Sequence, residues 1–210
     1  MALVRTIPVG PLACNMVLIA DPVSLDAVLV DPGGDPEDII QLLRETGAKV
    51  RQIVITHAHV DHILAAEQLR VHTGATVLYN EGDRQLWLSL PLQCMFLGVP
   101  APKARVNLPD ALLRDGENLA VRGGVVLHTP GHTMGSTCFY FPQDSLLCSG
   151  DTLFREGVGR TDLPGGSPLQ LMNSIKEKLL VLPDSTRVIT GHGEETTIGY
   201  ERYNNPYLSS

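Results

Sequence analysis

No apolar run in the 210 residues approaches the roughly 20 needed to span a bilayer as a helix; the longest, Met16–Ala20, is five residues. That argues against a transmembrane protein. The N-terminus carries no basic leader followed by an apolar core and a small-residue cleavage site, so a cytoplasmic location is expected. Positive charge is in deficit, with 16 Lys+Arg against 23 Asp+Glu and a net charge of −7, which argues against binding nucleic acid or an anionic membrane surface. Cysteine is sparse. Cys14, Cys94, Cys138 and Cys148 form no C-x-x-C pair, against a zinc-thiolate knuckle or a thioredoxin-like motif. Cys138 and Cys148 lie in apolar, strand-like runs and are expected to be reduced core residues. No repeat or low-complexity stretch is present, since the 20 Gly and 15 Pro are scattered.

What remains is an ordinary globular composition, 43% hydrophobic, long enough to bury a sizeable core. Strands are expected at Asn15–Ala20, Asp26–Val30, Ile53–Thr56, Thr76–Tyr79, Leu119–Val121, Val125–Thr129, Thr137–Phe141, Ser145–Cys148 and Arg187–Thr190. Helices are expected from Asp35-Pro36 to Gly47, from Asp61 to His72, over Glu81–Leu90, and from the Ser167-Pro168 cap to about Leu180. The Pro-rich stretch Pro91–Pro109 reads as a long surface connection. Strands interleaved with helices in both halves make this an α/β protein, and no linker divides it, so residues 1–210 are taken as one domain.

The chemistry concentrates in Thr56-His57-Ala58-His59-Val60-Asp61-His62, directly after a strand. At this chain's own composition such a His-x-His-x-Asp-His string arises by chance in roughly one chain in two thousand, too rarely to be read as a polar loop. His57 and His59, two apart in extended backbone, project to one side. Asp61 and His62, at the turn into the helix, can point toward a second metal. Neutral imidazole and carboxylate suit zinc, iron or manganese.

Four residues do not fill two coordination shells. His132, Asp151 and His192 each follow a strand-like run and each is preceded by glycine, which permits close backbone approach. His72, at a helix end, and His128, within a strand, read as structural.

This set, in this order, resembles the metallo-β-lactamase superfamily, and within it the glyoxalase II (hydroxyacylglutathione hydrolase) group, in particular its short bacterial members. The resemblance rests on His57–His62, Thr129–His132, Ser149–Phe154, Gly157–Arg160, Thr190–Gly193 and Thr196–Glu201. It implies an αββα four-layer sandwich with the metal site at one edge of the two sheets. His57, His59 and His132 would hold one divalent ion, Asp61, His62 and His192 the other, and Asp151 would bridge them, with zinc foremost and iron or manganese also suited. Asp151 stands where true β-lactamases usually have cysteine, which argues against antibiotic hydrolysis. The C-terminal helical region that holds glutathione in longer glyoxalase II enzymes has no counterpart before Ser210. Asp162 stands where an aromatic residue often contacts glutathione.

The expected activity is hydrolysis of a small thioester such as S-D-lactoylglutathione by a hydroxide shared between two ions, with Asp61 and Asp151 as the catalytic carboxylates. Arg160, and less so Arg155, would hold a substrate carboxylate. The alternative is a mononuclear iron persulfide dioxygenase using His57, His132 and Asp151. Nucleic-acid hydrolysis and a non-catalytic metal module fit less well. Oligomeric state is not legible.

Overall fold

The structure is a computed structural model describing residues 1–102 and 107–208. Two sheets pack face to face. The first has six strands in the order β1 (Leu3–Val9), β2 (Cys14–Ala20), β3 (Asp26–Val30), β4 (Lys49–Val54), β5 (Thr76–Tyr79) and β6 (Ala111–Leu112). Its first three strands run antiparallel as a meander and its last four parallel. The parallel half needs helical crossovers. They are α1 (Pro36–Thr46), then α2 (Val60–Ile63) with α3 (Ala66–Thr73), then α4 (Arg84–Leu88) with α5 (Leu90–Leu97).

The second sheet has five strands. β7 (Val125–His128), β8 (Thr137–Phe141) and β9 (Leu146–Gly150) form an antiparallel meander, followed by a small hairpin of β10 (Leu153–Phe154) and β11 (Gly157–Val158). After α6 (Pro168–Ser174), which continues as a π-helical turn through Leu179, β12 (Arg187–Thr190) pairs parallel to β9. β13 (Thr196–Thr197) closes the edge and α7 (Ile198–Asn204) follows.

Strand alternation explains why four layers form. In β2, Met16 and Leu18 face the helices on one side, while Val17 and Ile19 face the second sheet. β3 divides Ala27 and Leu29 from Val28 and Val30 in the same way. In the second sheet, Phe139, Phe141 and Cys148 enter the space between the sheets, and Cys138, Leu147 and Val188 meet Leu171, Ile175 and Ile198 of the outer helices. Both sheets are apolar on both faces, so each must be covered twice. This is the αββα arrangement.

Cys138 and Cys148 are core residues as expected, with free thiols; burial pushes the Cys138 thiol up to about 11. No described helix is long and apolar enough to cross a membrane.

Several expected elements are redrawn. Residues 3–9 form a strand that was not expected. Asp35 precedes α1, but with φ 44° it does not cap it; its carboxylate instead accepts the Gly10 N–H at 2.8 Å. The expected helix 61–72 is broken at Leu64–Ala65, where the Ala65 N–H donates to the Pro32 carbonyl. Pro91 opens α5 instead of ending a helix, because the first turn needs no N–H there. The expected surface connection 91–109 is therefore helical to Leu97; residues 103–106 lie outside the described residues. Leu119–Val121 is a turn region with one isolated bridge, Asn118 to Val125.

Candidate metal centre

The polar loops converge where β4, β7, β9 and β12 end. His57 and His59 follow β4, and Asp61 and His62 stand on α2. His132 follows β7, Asp151 follows β9 and His192 follows β12. All seven side chains meet in one pocket.

They fall into two groups. His132 Nε2 lies 3.2 Å from His57 Nε2 and 3.0 Å from His59 Nδ1. Asp61 Oδ2 lies 3.0 Å from His192 Nε2 and 3.6 Å from His62 Nε2. Asp151 stands between the groups: Oδ2 is 3.7 Å from His132 Nε2, while Oδ1 is 3.5 Å from His62 Nε2 and 3.9 Å from His192 Nε2.

The hydrogen bonds behind the rings assign their tautomers. His132 Nδ1 donates to the Arg160 carbonyl at 2.7 Å and His192 Nδ1 to the Leu12 carbonyl at 3.0 Å. His62 Nδ1 donates to Asp31 Oδ2 at 2.8 Å. Thr56 Oγ1 gives its proton to the same carboxylate, so it accepts from His57 Nδ1 at 3.1 Å. In each ring Nε2 is left aimed into the pocket, as a lone pair wherever the ring is neutral.

That arrangement fits a cation. The lone pairs of His57 Nε2 and His132 Nε2, facing one another at 3.2 Å, repel unless something positive lies between them. The spacing approaches the roughly 3.4 Å edge of a tetrahedral shell with bonds of about 2.1 Å. Buried His62 Nε2 and Asp151 Oδ1 have no hydrogen-bond partner among the described residues, a costly condition for polar atoms. A set of imidazoles and carboxylates without thiolate suits zinc, iron or manganese.

The electrostatics of the protein groups agree. Burial, then neighbouring rings, holds His57 well below the usual imidazole range; burial brings His59 down to about 3. Both are neutral donors at pH 7. Burial alone would raise the Asp61 carboxyl, but His62 and the hydrogen bond from His192 outweigh it, and Asp61 stays ionised. The hydrogen bond to Asp61 in turn holds His192 up, and neighbouring anionic groups hold His62 up against its burial, so in this second group protons stand where a cation would.

Glycine before each strand-end ligand has the expected use. Gly131 and Gly150 take φ of 141° and 49°. A Cβ on Gly191 would lie 2.0 Å from Asp151 Oδ1. Of the expected substrate groups, the exposed Arg160 side chain is engaged in a two-pronged pair with Asp162 at 2.8 Å, although its backbone carbonyl orients His132. Arg155 faces Glu194 and lies over the Tyr200 ring. His128 Nε2 donates to the Met134 carbonyl, and His72 ends α3, both away from the pocket.

Asp31 is one residue that sequence reasoning missed. Its string Asp31-Pro32-Gly33-Gly34 reads as a chain break, yet it is a strand-end Asp near glycine, like Asp151. Its buried carboxylate accepts from Thr56 N–H at 2.7 Å, from Thr56 Oγ1 and from His62. Cys14 lies beside it, with Sγ 3.5 Å from His62 Nδ1 and its thiol pushed up by burial to about 11.

Comparison with known proteins identifies the family. Residues 9–192 match the model of the metallo-beta-lactamase superfamily. A Haemophilus influenzae protein named hydroxyacylglutathione hydrolase GloC is 40% identical, with 99% of this chain and 98% of that protein covered. Among solved structures, BLEG-1, described as a B3 metallo-beta-lactamase, superposes with a TM-score of 0.90 at 37% identity over 99% of this chain and all of its own. TTHA1623, crystallised in a di-iron-bound form, gives 0.87 at 39% identity over 97% of this chain and all of its own. Family model, relatives and fold coincide over nearly the whole length, and the chain belongs to the metallo-beta-lactamase superfamily.

Proposed function

We propose that this metallohydrolase is a binuclear thioesterase of glyoxalase II type, cleaving S-acylglutathiones such as S-D-lactoylglutathione to a hydroxy acid and a thiol. The observation that carries the reading is Asp151, whose two oxygens face two separate donor groups. His57, His59 and His132 would hold one divalent ion, Asp61, His62 and His192 the second, and Asp151 both. Ions held there lower the pKa of bound water toward neutrality and polarise a carbonyl.

The chain's own groups do the rest. Asp61, ionised and 3.0 Å from His192 Nε2, accepts a hydrogen bond from the attacking water and fixes its direction. Asp151 holds the same water from the other side. The leaving thiol has an ordinary pKa of about 8.5 and departs as thiolate, so no strong general acid is required. Arg160 exchanges Asp162 for a carboxylate on the substrate's thiol half, and Arg155 is a second cation nearby along the chain. All of these groups act within one domain.

Support beyond the geometry comes from the relative named hydroxyacylglutathione hydrolase. The persulfide dioxygenase reading uses only His57, His132 and Asp151, and leaves the Asp61–His62–His192 group without a task. The likeness to a protein described as a B3 metallo-beta-lactamase makes a β-lactam a necessary comparison substrate.

The test is elemental analysis of the purified protein, with hydrolysis of S-D-lactoylglutathione measured beside β-lactam hydrolysis and oxygen uptake on glutathione persulfide. Two ions per chain with thioester cleavage is the expected result. One iron with oxygen uptake, or β-lactam turnover without thioester cleavage, overturns the proposal.

A further inference from the structure

The three-nitrogen group is built from two loops far apart in sequence, residues 57–60 after β4 and residues 132–136 after β7. Both are gripped by side chains of the helical segment between β5 and β6. Asp83 ends the 3-10 turn that opens this segment and is buried. Its Oδ2 accepts from the backbone N–H of Ala58 at 2.9 Å and from Thr133 Oγ1 at 2.8 Å; its Oδ1 accepts from the Gly135 N–H at 2.7 Å. Ala58 lies between His57 and His59, and Thr133 directly follows His132.

Gln93, on α5, completes the grip. Its Nε2 donates to the Ala58 carbonyl at 3.1 Å, and its Oε1 accepts from the Val60 N–H at 3.0 Å. Both backbone polar groups of Ala58 therefore end on the helical segment. The approach is as close as backbone permits: a Cβ on Gly135 would lie 2.6 Å from Asp83 Cγ.

The residue types are those this geometry needs. Three donors converge on the Asp83 carboxylate, and an amide in its place would turn an NH₂ toward at least one of them. A buried carboxylate is costly to maintain for ordinary loop packing. Here the loops it joins bring the lone pairs of His57 Nε2 and His132 Nε2 to 3.2 Å, a repulsion that the restraint opposes.

We infer that Asp83 and Gln93 are positioning residues for the His57–His59–His132 group, fixing the separation of its two loops and so setting cation affinity there, independently of the Asp61–His62–His192 group. The second group is anchored by a different carboxylate, Asp31 on His62. The inference rests on the proposed cation sites.

The experiment isolates each group in the full chain. His192→Ala leaves the three-nitrogen group intact, and His59→Ala leaves the other. Zn²⁺ affinity is measured by chelator competition, with circular dichroism melts in chelator to check folding. Asp83→Ala and Gln93→Met are expected to weaken Zn²⁺ binding about 10–100-fold in the His192→Ala background and less than about threefold in the His59→Ala background. Equal weakening in both backgrounds, as a general loss of structure gives, overturns the inference, as does no weakening in the first. Should Asp83→Ala fail to fold, Asp83→Asn and Gln93→Met carry the same comparison. The unsubstituted chain is titrated in parallel: absence of two Zn²⁺ sites there sinks the functional reading, whereas two wild-type sites with no difference between backgrounds sinks only this inference.

Discussion

The Asp31 carboxylate accepts a hydrogen bond from His62 Nδ1 at 2.8 Å, and both side chains are almost wholly buried. Through Thr56 Oγ1 the same carboxylate also reaches His57. One residue at the end of β3 thus orients an imidazole in each donor group.

Asp31→Asn is expected to lower cation affinity about 10–100-fold, the usual consequence of removing a partner that orients a ligand. An amide cannot accept from Thr56 N–H, Thr56 Oγ1 and His62 Nδ1 together. Chelator competition on the folded variant measures it, and affinity equal to wild type would show that His62 is oriented by other contacts.

Gly191→Ala places a methyl 2.0 Å from Asp151 Oδ1 and 3.0 Å from the Gly150 carbonyl carbon. The carboxylate must move. Misplacement by about 1 Å costs on the order of 100-fold in rate, so thioester hydrolysis should fall by at least that much, with fewer ions retained per chain. Hydrolysis assays and elemental analysis on the same sample decide it; full activity would mean that the Asp151 position is not critical.

Asp144 supplies a pH test away from the pocket. Its carboxylate accepts the Ala2 N–H at 2.7 Å and pairs with Arg122 at 2.7 Å, joining the N-terminus to the turn after β8. Burial would raise its carboxyl, but Arg122 and the Ala2 hydrogen bond hold it below the ordinary value. A depressed folded-state pKa means stabilisation present above about pH 4 and lost as pH falls through the folded value. Asp144→Asn should therefore cost about 1–3 kcal/mol at pH 7, with the gap to wild type closing on acidification. Urea unfolding at several pH values reads this directly, and a gap that does not close would assign the loss to packing.

Phe139 sits fully buried between the sheets. Phe139→Ala should destabilise by about 3–5 kcal/mol, through lost burial plus the cavity left behind. A loss of unfolding free energy in urea smaller than about 1 kcal/mol would mean that the two sheets close over the gap.

The seven pocket residues were legible because each follows an apolar strand and carries a side chain with few structural uses at such a place. Helices were legible from caps such as Ser167-Pro168 and from the glycine stop Gly47, whereas the four layers followed only from the family resemblance. Proline hid the rest. Pro8 disguises β1, yet β1 is an edge strand where a missing N–H is tolerated. Pro91 disguises α5 by standing at its first turn, where it is equally harmless. Asp31, Asp83 and Gln93 escaped notice because their partners are backbone groups or rings more than 20 residues away. No periodicity or local spacing encodes such partners.

The parallel pairing of β9 with β12, closed by the Gly191 N–H on the Gly150 carbonyl at 2.8 Å, sets a schedule for biosynthesis. β12 and His192 leave the ribosome some 40 residues after Asp151. Until they emerge, the nascent polypeptide has only the earlier six donors to offer, and neither the strand that flanks Asp151 nor the glycine that presses on it is in place. On the proposed function, full cation binding waits until β12 has emerged, and translation arrested before residue 187 should release a product that captures Zn²⁺ poorly.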